Sequence, residues 1–293
     1  MRVIVLTNPA AGAKPEHAEE LRAALERAGV EAEVRQVTGD ELPRAARAAA
    51  ADGADAVVAA GGDGTVSACA GALAGGDVPL GVLPTGTLNH FAKDLRLPLA
   101  LDEAAAVIAA GHRRRVDIAQ VNGRAFINNS SIGLYPRMVG KRDRQRQRLG
   151  RGKWVAMLLA CVSVFRRYPT VSVRIDVANR STLRTTPFVF VGNNGYELTP
   201  ENLGGRARLD GGELCVYFTN RTGRFGLLML ALRVVLGIVE QARDFQMLSG
   251  TEAWIETAQR EIPIALDGEV FRLSPPLHYE LRPGALTVLA PRA

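Results

Sequence analysis

Cysteine is scarce in these 293 residues: Cys69, Cys161 and Cys215 are odd in number, widely spaced and unaccompanied by histidine pairs. That excludes a disulfide framework and a Cys/His zinc site, and reads as small buried side chains in a reducing, cytoplasmic compartment. Long apolar runs are missing too. Residues 154–165 and 225–239 are the longest, both shorter than the roughly 20 residues that cross a bilayer, and Arg233 interrupts the second. Residues 1–9 form a short strand pattern ending in a turn, without the longer apolar core of a secretion signal. Two common fingerprints are likewise absent: no G-x-G-x-x-G follows a strand candidate, and no G-K-[ST] occurs. The usual dinucleotide and P-loop sites are thereby excluded.

What is present is an ordered globular composition, 47% hydrophobic and 23% charged, in a chain long enough for two cores. The net charge is +6, and residues 141–153 carry seven basic side chains against one acidic, so the remainder sums to zero. Such a block is either a solvated loop or helix face, or a contact for anionic lipid head groups, where each Lys or Arg contributes about 1 kcal/mol. Nucleic acid is not expected as a partner, because no aromatic residues interleave with these cations.

Periodicity divides the chain. From residue 1 to about 118 the patterns alternate: strand 3–6, helix 16–28, strand 31–37, helix 42–51, strands ending near 60 and 83, and helix 102–110. Gly29, Gly53 and Gly111 close the three helices. This alternation predicts an α/β fold, a Rossmann-like doubly wound parallel sheet with helices on both faces. Beyond it the runs have period two, at 116–119, 171–177, 188–191, 214–218 and 285–289, as in an antiparallel β-sandwich. Residues 154–167 and 225–241 read as helices inserted into that sandwich. The predicted domains are residues 1–120 and 121–293.

Two strand-to-helix junctions carry the chemistry. Asp55-Ala56-Val57-Val58-Ala59-Ala60 runs into Gly61-Gly62-Asp63-Gly64-Thr65, with the helix read from Thr65 onward. Pro79-Leu80-Gly81-Val82-Leu83 runs into Pro84-Thr85-Gly86-Thr87-Leu88-Asn89-His90-Phe91. Glycine brings backbone N–H groups close to a phosphate, and a helix N-terminus adds favourable partial charge. Two such turns on adjacent parallel strands make one crevice at the carboxyl edge of a sheet, where nucleotides bind. Asp63 is the odd member, since a carboxylate among phosphate-seeking amides needs a magnesium ion, a backbone donor or a ribose hydroxyl to hold it. Asn8-Pro9-Ala10-Ala11-Gly12 after the first strand offers further amides, though an Asn-Pro turn is also ordinary loop chemistry.

The ordered set Asn8-Pro9-Ala10-Ala11-Gly12, Gly61-Gly62-Asp63-Gly64-Thr65, Pro84-Thr85-Gly86-Thr87-Leu88-Asn89, Leu209-Asp210-Gly211 and Leu266-Asp267-Gly268-Glu269 resembles the diacylglycerol kinase catalytic family. That family includes bacterial soluble lipid kinases and the sphingosine and ceramide kinases. The resemblance spans nearly the whole chain. It implies ATP and Mg²⁺ as cofactors, a nucleotide-binding first domain and a lipid-substrate second domain. The implied acceptor is a lipid alcohol such as diacylglycerol, with transient contact to an anionic membrane surface. Implied nucleotide contacts are Asn8, Pro9, Ala10, Ala11, Gly12, Thr38 at the end of the second strand, Gly61, Gly62, Asp63, Gly64, Thr65, Thr87 and Asn89.

Glu269 is implied as the base that accepts the hydroxyl proton, with Asp267 orienting it or holding the metal, and these two roles are exchangeable. Asp-Gly between strand patterns is equally the signature of a type I′ hairpin. Asp210, with the carbonyls of Ala207 and Gly212, is implied as the holder of a structural Mg²⁺, a hairpin turn being the other reading. Asp117, after Arg113-Arg114-Arg115, and residues 128–133 are further family-like positions. His90 departs from the family, many of whose members carry Asp there, and Ala11 stands where a serine is often seen. Because Gly-Gly-Asp-Gly-Thr also resembles NAD kinases, an NAD-kinase-like phosphotransferase is the second reading. A catalytically silent nucleotide- or lipid-binding regulator is the third. Oligomeric state leaves no mark in the sequence.

Overall fold

The computed structural model describes residues 1–9, 15–133, 136, 170–178, 180–198, 203–219 and 245–292. Ala10, Ala11, Gly12, Cys161, the basic segment 141–153 and the helices expected at 154–167 and 225–241 lie outside the described residues. The first elements are β1 (Arg2–Thr7), α1 (Pro15–Arg27), β2 (Glu31–Gln36), α2 (Leu42–Ala51), β3 (Ala56–Gly61), α3 (Asp63–Leu73) and β4 (Leu80–Pro84). There follow α4 (His90–Asp94), α5 (Leu101–Ala110), β5 (Arg113–Val121), β6 (Arg124–Phe126), β7 (Asn129–Gly133), β8 (Val171–Val177), β9 (Arg180–Thr186) and β10 (Phe188–Asn193). The remainder are β11 (Glu197–Leu198), β12 (Leu203–Gly205), β13 (Leu214–Phe218), β14 (Gln246–Gly250), β15 (Glu252–Glu256), β16 (Ile262–Leu266), β17 (Glu269–Leu273) and β18 (Leu277–Leu289).

Two compact units divide the chain. One comprises Met1–Asn128, Arg206–Gly212 and Leu281–Ala293, the other Asn129–Gly205 and Glu213–Glu280. The expected division into 1–120 and 121–293 therefore differs in its boundary, which falls after Asn128, and at two returns of the chain. The C-terminal return belongs to the first unit because Val288 of β18 pairs in parallel with Leu80 of β4. The return at 206–212 belongs there because Leu209 is buried in the first unit's core.

In the first unit the sheet order is β2-β1-β3-β4-β18, with β5 pairing β18 and β6. The pairs from β2 to β18 are parallel. Successive residues of β1 point to opposite faces, as a strand requires. Val3 and Val5 join Leu21 and Leu25 of α1 and Ile108 of α5, whereas Ile4 and Leu6 join Leu42 and Ala46 of α2 and Val66 of α3. Helices thus cover both faces, and all six residues of β3 are buried. Burying each Val or Leu here contributes about 1.5–3 kcal/mol relative to exposure.

The second unit is built of antiparallel pairs. One layer runs β18-β15-β8-β9 and the other β14-β13-β10-β7-β16-β17. Val171, Val173, Ile175 and Val177 of β8 are buried while Ser172 and Arg174 between them are exposed, the alternation of a strand with one covered face. The hydroxyls of Ser130 on β7 and Tyr279 on β18 hydrogen-bond at 2.9 Å, joining the inner faces of the two layers.

Candidate functional site

The first glycine loop is shorter than its sequence suggests. β3 ends at Gly61, Gly62 is the helix N-cap, and α3 starts at Asp63, two residues before the expected Thr65. The N–H groups of Asp63, Gly64 and Thr65 accordingly fall in the first helical turn, where no helical acceptor exists and a ligand can take them. Thr65 is buried at 6% exposure, and a Cβ built on Gly61 would stand 2.6 Å from its Oγ1. Position 61 therefore admits no side chain.

The second loop packs directly on the first. A Cβ on Gly86 would overlap Gly62 Cα and stand 2.9 Å from Gly62 N. Only glycine permits this approach. Of the three ways to hold Asp63, the structure uses backbone donors: Oδ2 accepts the N–H of His90 and Oδ1 that of Phe91, each at 3.2 Å. Asp63 thereby caps α4 from the neighbouring loop. The donor at residue 90 is main chain, so histidine in place of aspartate leaves this bond available. Asn89 takes a left-handed conformation, φ 51°, and its Nδ2 donates to the carbonyls of Pro84 at 3.2 Å and Gly86 at 2.8 Å. These two bonds fix the amide's orientation, and Asn89 Oδ1 is left buried without a hydrogen-bond partner among the described residues. Such an orphan acceptor costs about 1–3 kcal/mol until a hydroxyl, water or cation meets it.

The other nucleotide candidates are more dispersed. Asn8 follows β1, and its Nδ2 stands 3.2 Å from a Cβ built on Gly39, so the ends of β1 and β2 are neighbours. Thr38 lies beyond the end of β2 at Gln36, not within the strand, because it caps the short 3₁₀ turn Gly39–Glu41. Its Oγ1 donates to Glu41 Oε2 at 2.9 Å. Pro9, Thr38 and Thr87 are exposed.

Asp117 is 3% exposed, and its carboxylate is held by two glycine amides, those of Gly212 and Gly284, each at 2.8 Å. Its own N–H donates to Leu209 O at 2.7 Å, which fixes the Leu209–Gly212 turn against β5. Asp210 in that turn is exposed. Its Oδ1 lies 3.3 Å from Arg208 Nε and 3.6 Å from Arg114 Nη2.

In the second unit, Leu266 pairs with Glu269, and the two residues between them have φ of 46° at Asp267 and 89° at Gly268. This is a two-residue type I′ hairpin. Asp267 is half-buried; its Oδ1 accepts the N–H of Asn129, and its own N–H donates to Asn129 O, both at 2.9 Å. Glu269, the first residue of β17, is exposed. The hairpin and the catalytic reading are therefore compatible, one describing the backbone and the other the side chain it presents.

Two connections had no place in the sequence reading. Asn129 Nδ2 donates to the Tyr196 hydroxyl at 3.1 Å, continuing the chain of bonds from Asp267. In the first unit the Arg206 side chain is fully buried, with Nε bonded to Asp94 Oδ2 at 2.8 Å, Nη1 to Ile127 O and Nη2 to Asn128 Oδ1, both at 2.7 Å. Both join residues far apart in sequence. The polar run Asn128-Asn129-Ser130-Ser131, entering a strand that is largely buried, was the available signal for the first.

A model of the diacylglycerol kinase catalytic domain matches residues 2–121, and a model of the YegS C-terminal NAD kinase beta sandwich-like domain matches residues 132–290. The chain belongs to the diacylglycerol kinase catalytic family. It is 30% identical over 257 residues to the "Probable lipid kinase YegS-like" protein of Citrobacter koseri, covering 82% of this chain and 79% of that one. It is 34% identical over 178 residues to the diacylglycerol kinase of Mycobacterium tuberculosis, 57% of each chain. A crystal structure of a diacylglycerol kinase from Bacillus anthracis str. Sterne shares the fold, with a TM-score of 0.70 at 23% identity over 99% of this chain and 97% of that one.

Kinases of this family use ATP and a divalent metal in general. The Gly62–Gly86 approach and the first-turn amides of α3 form a cradle that a Cβ would fill and that suits phosphate oxygens, while the orphan Asn89 Oδ1, an acceptor, suits a hydroxyl or a cation. For Mg²⁺, the Asp210 carboxylate and the carbonyls of Ala207 and Gly212 are hard oxygen donors of the right type. Arg208, 70% exposed, can withdraw from Oδ1 at little expense, since exposed ion pairs contribute about 0–1 kcal/mol. Among the described residues no helix is long and apolar enough to cross a membrane.

Proposed function

We propose that this chain transfers the γ-phosphate of ATP, with Mg²⁺, to a hydroxyl of diacylglycerol or a similar lipid alcohol. The observation that carries the reading is the joining of the two glycine loops, where Gly62 meets Gly86 and Asp63 caps α4. The amides of Asp63, Gly64 and Thr65 then cradle phosphate oxygens. Asn89 Oδ1 accepts from a ribose hydroxyl or faces the metal, while Asn8, Pro9, Thr38 and Thr87 flank the nucleotide. Bound ATP and Mg²⁺ supply the activated phosphoryl group and neutralise its charge, which the chain's lack of a P-loop lysine leaves to the metal and helix dipoles.

Glu269 takes the proton of the attacking hydroxyl, a contribution of about 10²–10⁴-fold for a general base. Asp267 holds the turn that presents it, through Asn129. Asp210, with Ala207 and Gly212, holds a structural Mg²⁺ that fixes the turn bonded to Asp117. The basic segment 141–153 is assigned to an anionic lipid surface on its charge alone.

The test is incubation of purified protein with Mg²⁺, γ-labelled ATP and mixed micelles of a total lipid extract, followed by mass identification of the lipid that gains phosphate. No labelled lipid above the Glu269→Gln control overturns the reading. NAD is included as a second acceptor, because the model matched by residues 132–290 is described as NAD kinase beta sandwich-like. Label in NADP instead of lipid assigns that chemistry.

A further inference from the structure

Three consecutive arginines open β5, and with Asp77 and Thr287 they line a cavity of about 350 Å³ in the first unit. Arg114 lies near Asp210, at 3.6 Å, but Arg113 and Arg115 have no ion-pair partner among the described residues. Both are exposed at their strand positions, and the stem of Arg115 runs over Gly284, its Cδ 3.8 Å from a Cβ built there. Asp77 is the one carboxylate of the lining and Asp210 partners Arg114 from beside it, which leaves Arg113 and Arg115 as cations that an anion could neutralise.

The lining also limits the anion. It contains no aromatic ring and no apolar side chain, so neither a base nor an acyl chain finds a surface there. Guanidinium forks pair bidentately with phosphate oxygens, and two unpaired guanidiniums match a dianion better than a single carboxylate. Thr287 adds a hydroxyl donor. The cavity is remote from the glycine loops: Asp77 lies beyond the C-terminal end of α3, whose N-terminus carries Gly64 and Thr65. An 11-residue helix is about 16 Å long. Asp77 likewise precedes β4, whose far end at Pro84 opens the second loop. No glycine-loop residue lines the cavity.

We propose that Arg113, Arg114 and Arg115 form a second anion site, separate from the nucleotide loops, that takes a phosphomonoester. This site stands whether or not the chain transfers phosphate. The ester can come from a free phosphorylated metabolite or from the head group of a phosphorylated lipid.

Titration calorimetry of the full chain with inorganic phosphate and with glycerol 3-phosphate, in saturating Mg-ADP to fill the nucleotide loops, tests the first source. Flotation with phosphatidylcholine vesicles, with and without phosphatidate, tests the second. Binding that persists in ADP and falls by at least about tenfold in Arg113→Gln/Arg115→Gln supports the site. Arg113→Lys/Arg115→Lys, which keeps the charge and loses the fork, gives a smaller fall and serves if the glutamine variant melts early. Soluble esters binding assigns the free source, and vesicle binding alone assigns the head group. Binding abolished by ADP, binding equal in wild type and the glutamine variant, or no binding in either arm overturns the proposal.

Discussion

Asp267 and Asn129 are bonded to each other twice, the Asp267 carboxylate accepting the Asn129 N–H and the Asp267 N–H donating to the Asn129 carbonyl, both at 2.9 Å. One oxygen of that carboxylate is thus engaged in holding the hairpin to β7. Glu269, two residues on, is exposed at the start of β17. The two carboxylates that the sequence leaves exchangeable therefore differ in exposure, Asp267 half-buried against β7 and Glu269 in solvent. Glu269→Gln is expected to lower kcat by about 10²–10⁴-fold while leaving ATP affinity and the urea midpoint in place. Asp267→Ala is expected to destabilise by about 1–3 kcal/mol, because the Asn129 N–H loses its acceptor. Steady-state kinetics beside urea denaturation separates the two, and a dead but fully stable Asp267→Ala would reverse the roles.

Gly86→Ala tests the joining of the loops. The added Cβ overlaps Gly62 Cα, which is backbone and cannot rotate away. Overpacking of this kind costs about 1–3 kcal/mol, and relief comes only by spreading the two loops. The expected outcome is a nucleotide affinity reduced well beyond what the stability loss explains, read by ADP titration at a temperature where the variant remains folded. Wild-type affinity in a folded Gly86→Ala protein would disconnect the loop contact from binding.

The parts of the fold legible in the sequence were those where one physical signal decides. β3, β8 and β13 follow from apolar runs or strict alternation, and α2 and α5 from helical spacing with a glycine stop. β9 was not legible, because Arg180 to Thr185 are polar apart from an exposed Leu183, and its pairing with β8, not its own hydrophobicity, makes it a strand. β15 was not legible either, because its buried residues are Ala253 and Ile255 while the large apolar Trp254 between them is exposed, so its hydrophobicity does not alternate with its burial. The glycine loops were legible because their spacing is local. The Asp63 cap of α4, the Asn129–Asp267 bonds and the burial of Arg206 were not, since each joins residues 27 or more apart in sequence.

Arg206 offers a sharper stability test. Its side chain is fully buried and bonds oxygens of Asp94, Ile127 and Asn128. Asp94 is itself 10% exposed, so removing it strands a buried cation. Asp94→Ala is expected to cost about 3–5 kcal/mol, whereas replacing the pair together by apolar residues of similar volume costs far less. Urea denaturation of Asp94→Ala and of Asp94→Leu/Arg206→Met measures the difference. Equal losses in the two variants would mean that packing, not the uncompensated charge, dominates.

Alkaline pH should weaken the fold through groups that burial holds protonated. Burial pushes the Cys69 and Cys215 thiols up from 9.0 to about 12, with nearby Glu213 adding to the effect at Cys215, and it raises the Tyr217 and Tyr279 phenols from 10.0. For each, the unfolded chain releases its proton first, so between the unfolded and folded values the native state binds more protons. Stability is then unaffected below about pH 9 and falls with rising pH toward 12, by about 1.4 kcal/mol for each unit that a thiol is raised. In a Cys161→Ser background both described thiols are expected to resist iodoacetamide at pH 8 in the native state and to react on unfolding. Urea midpoints measured across this pH range for that background and for the same protein with Cys69→Ala should converge in their pH dependence below 9 and diverge above it. Parallel curves throughout would show that the Cys69 thiol does not carry the alkaline loss.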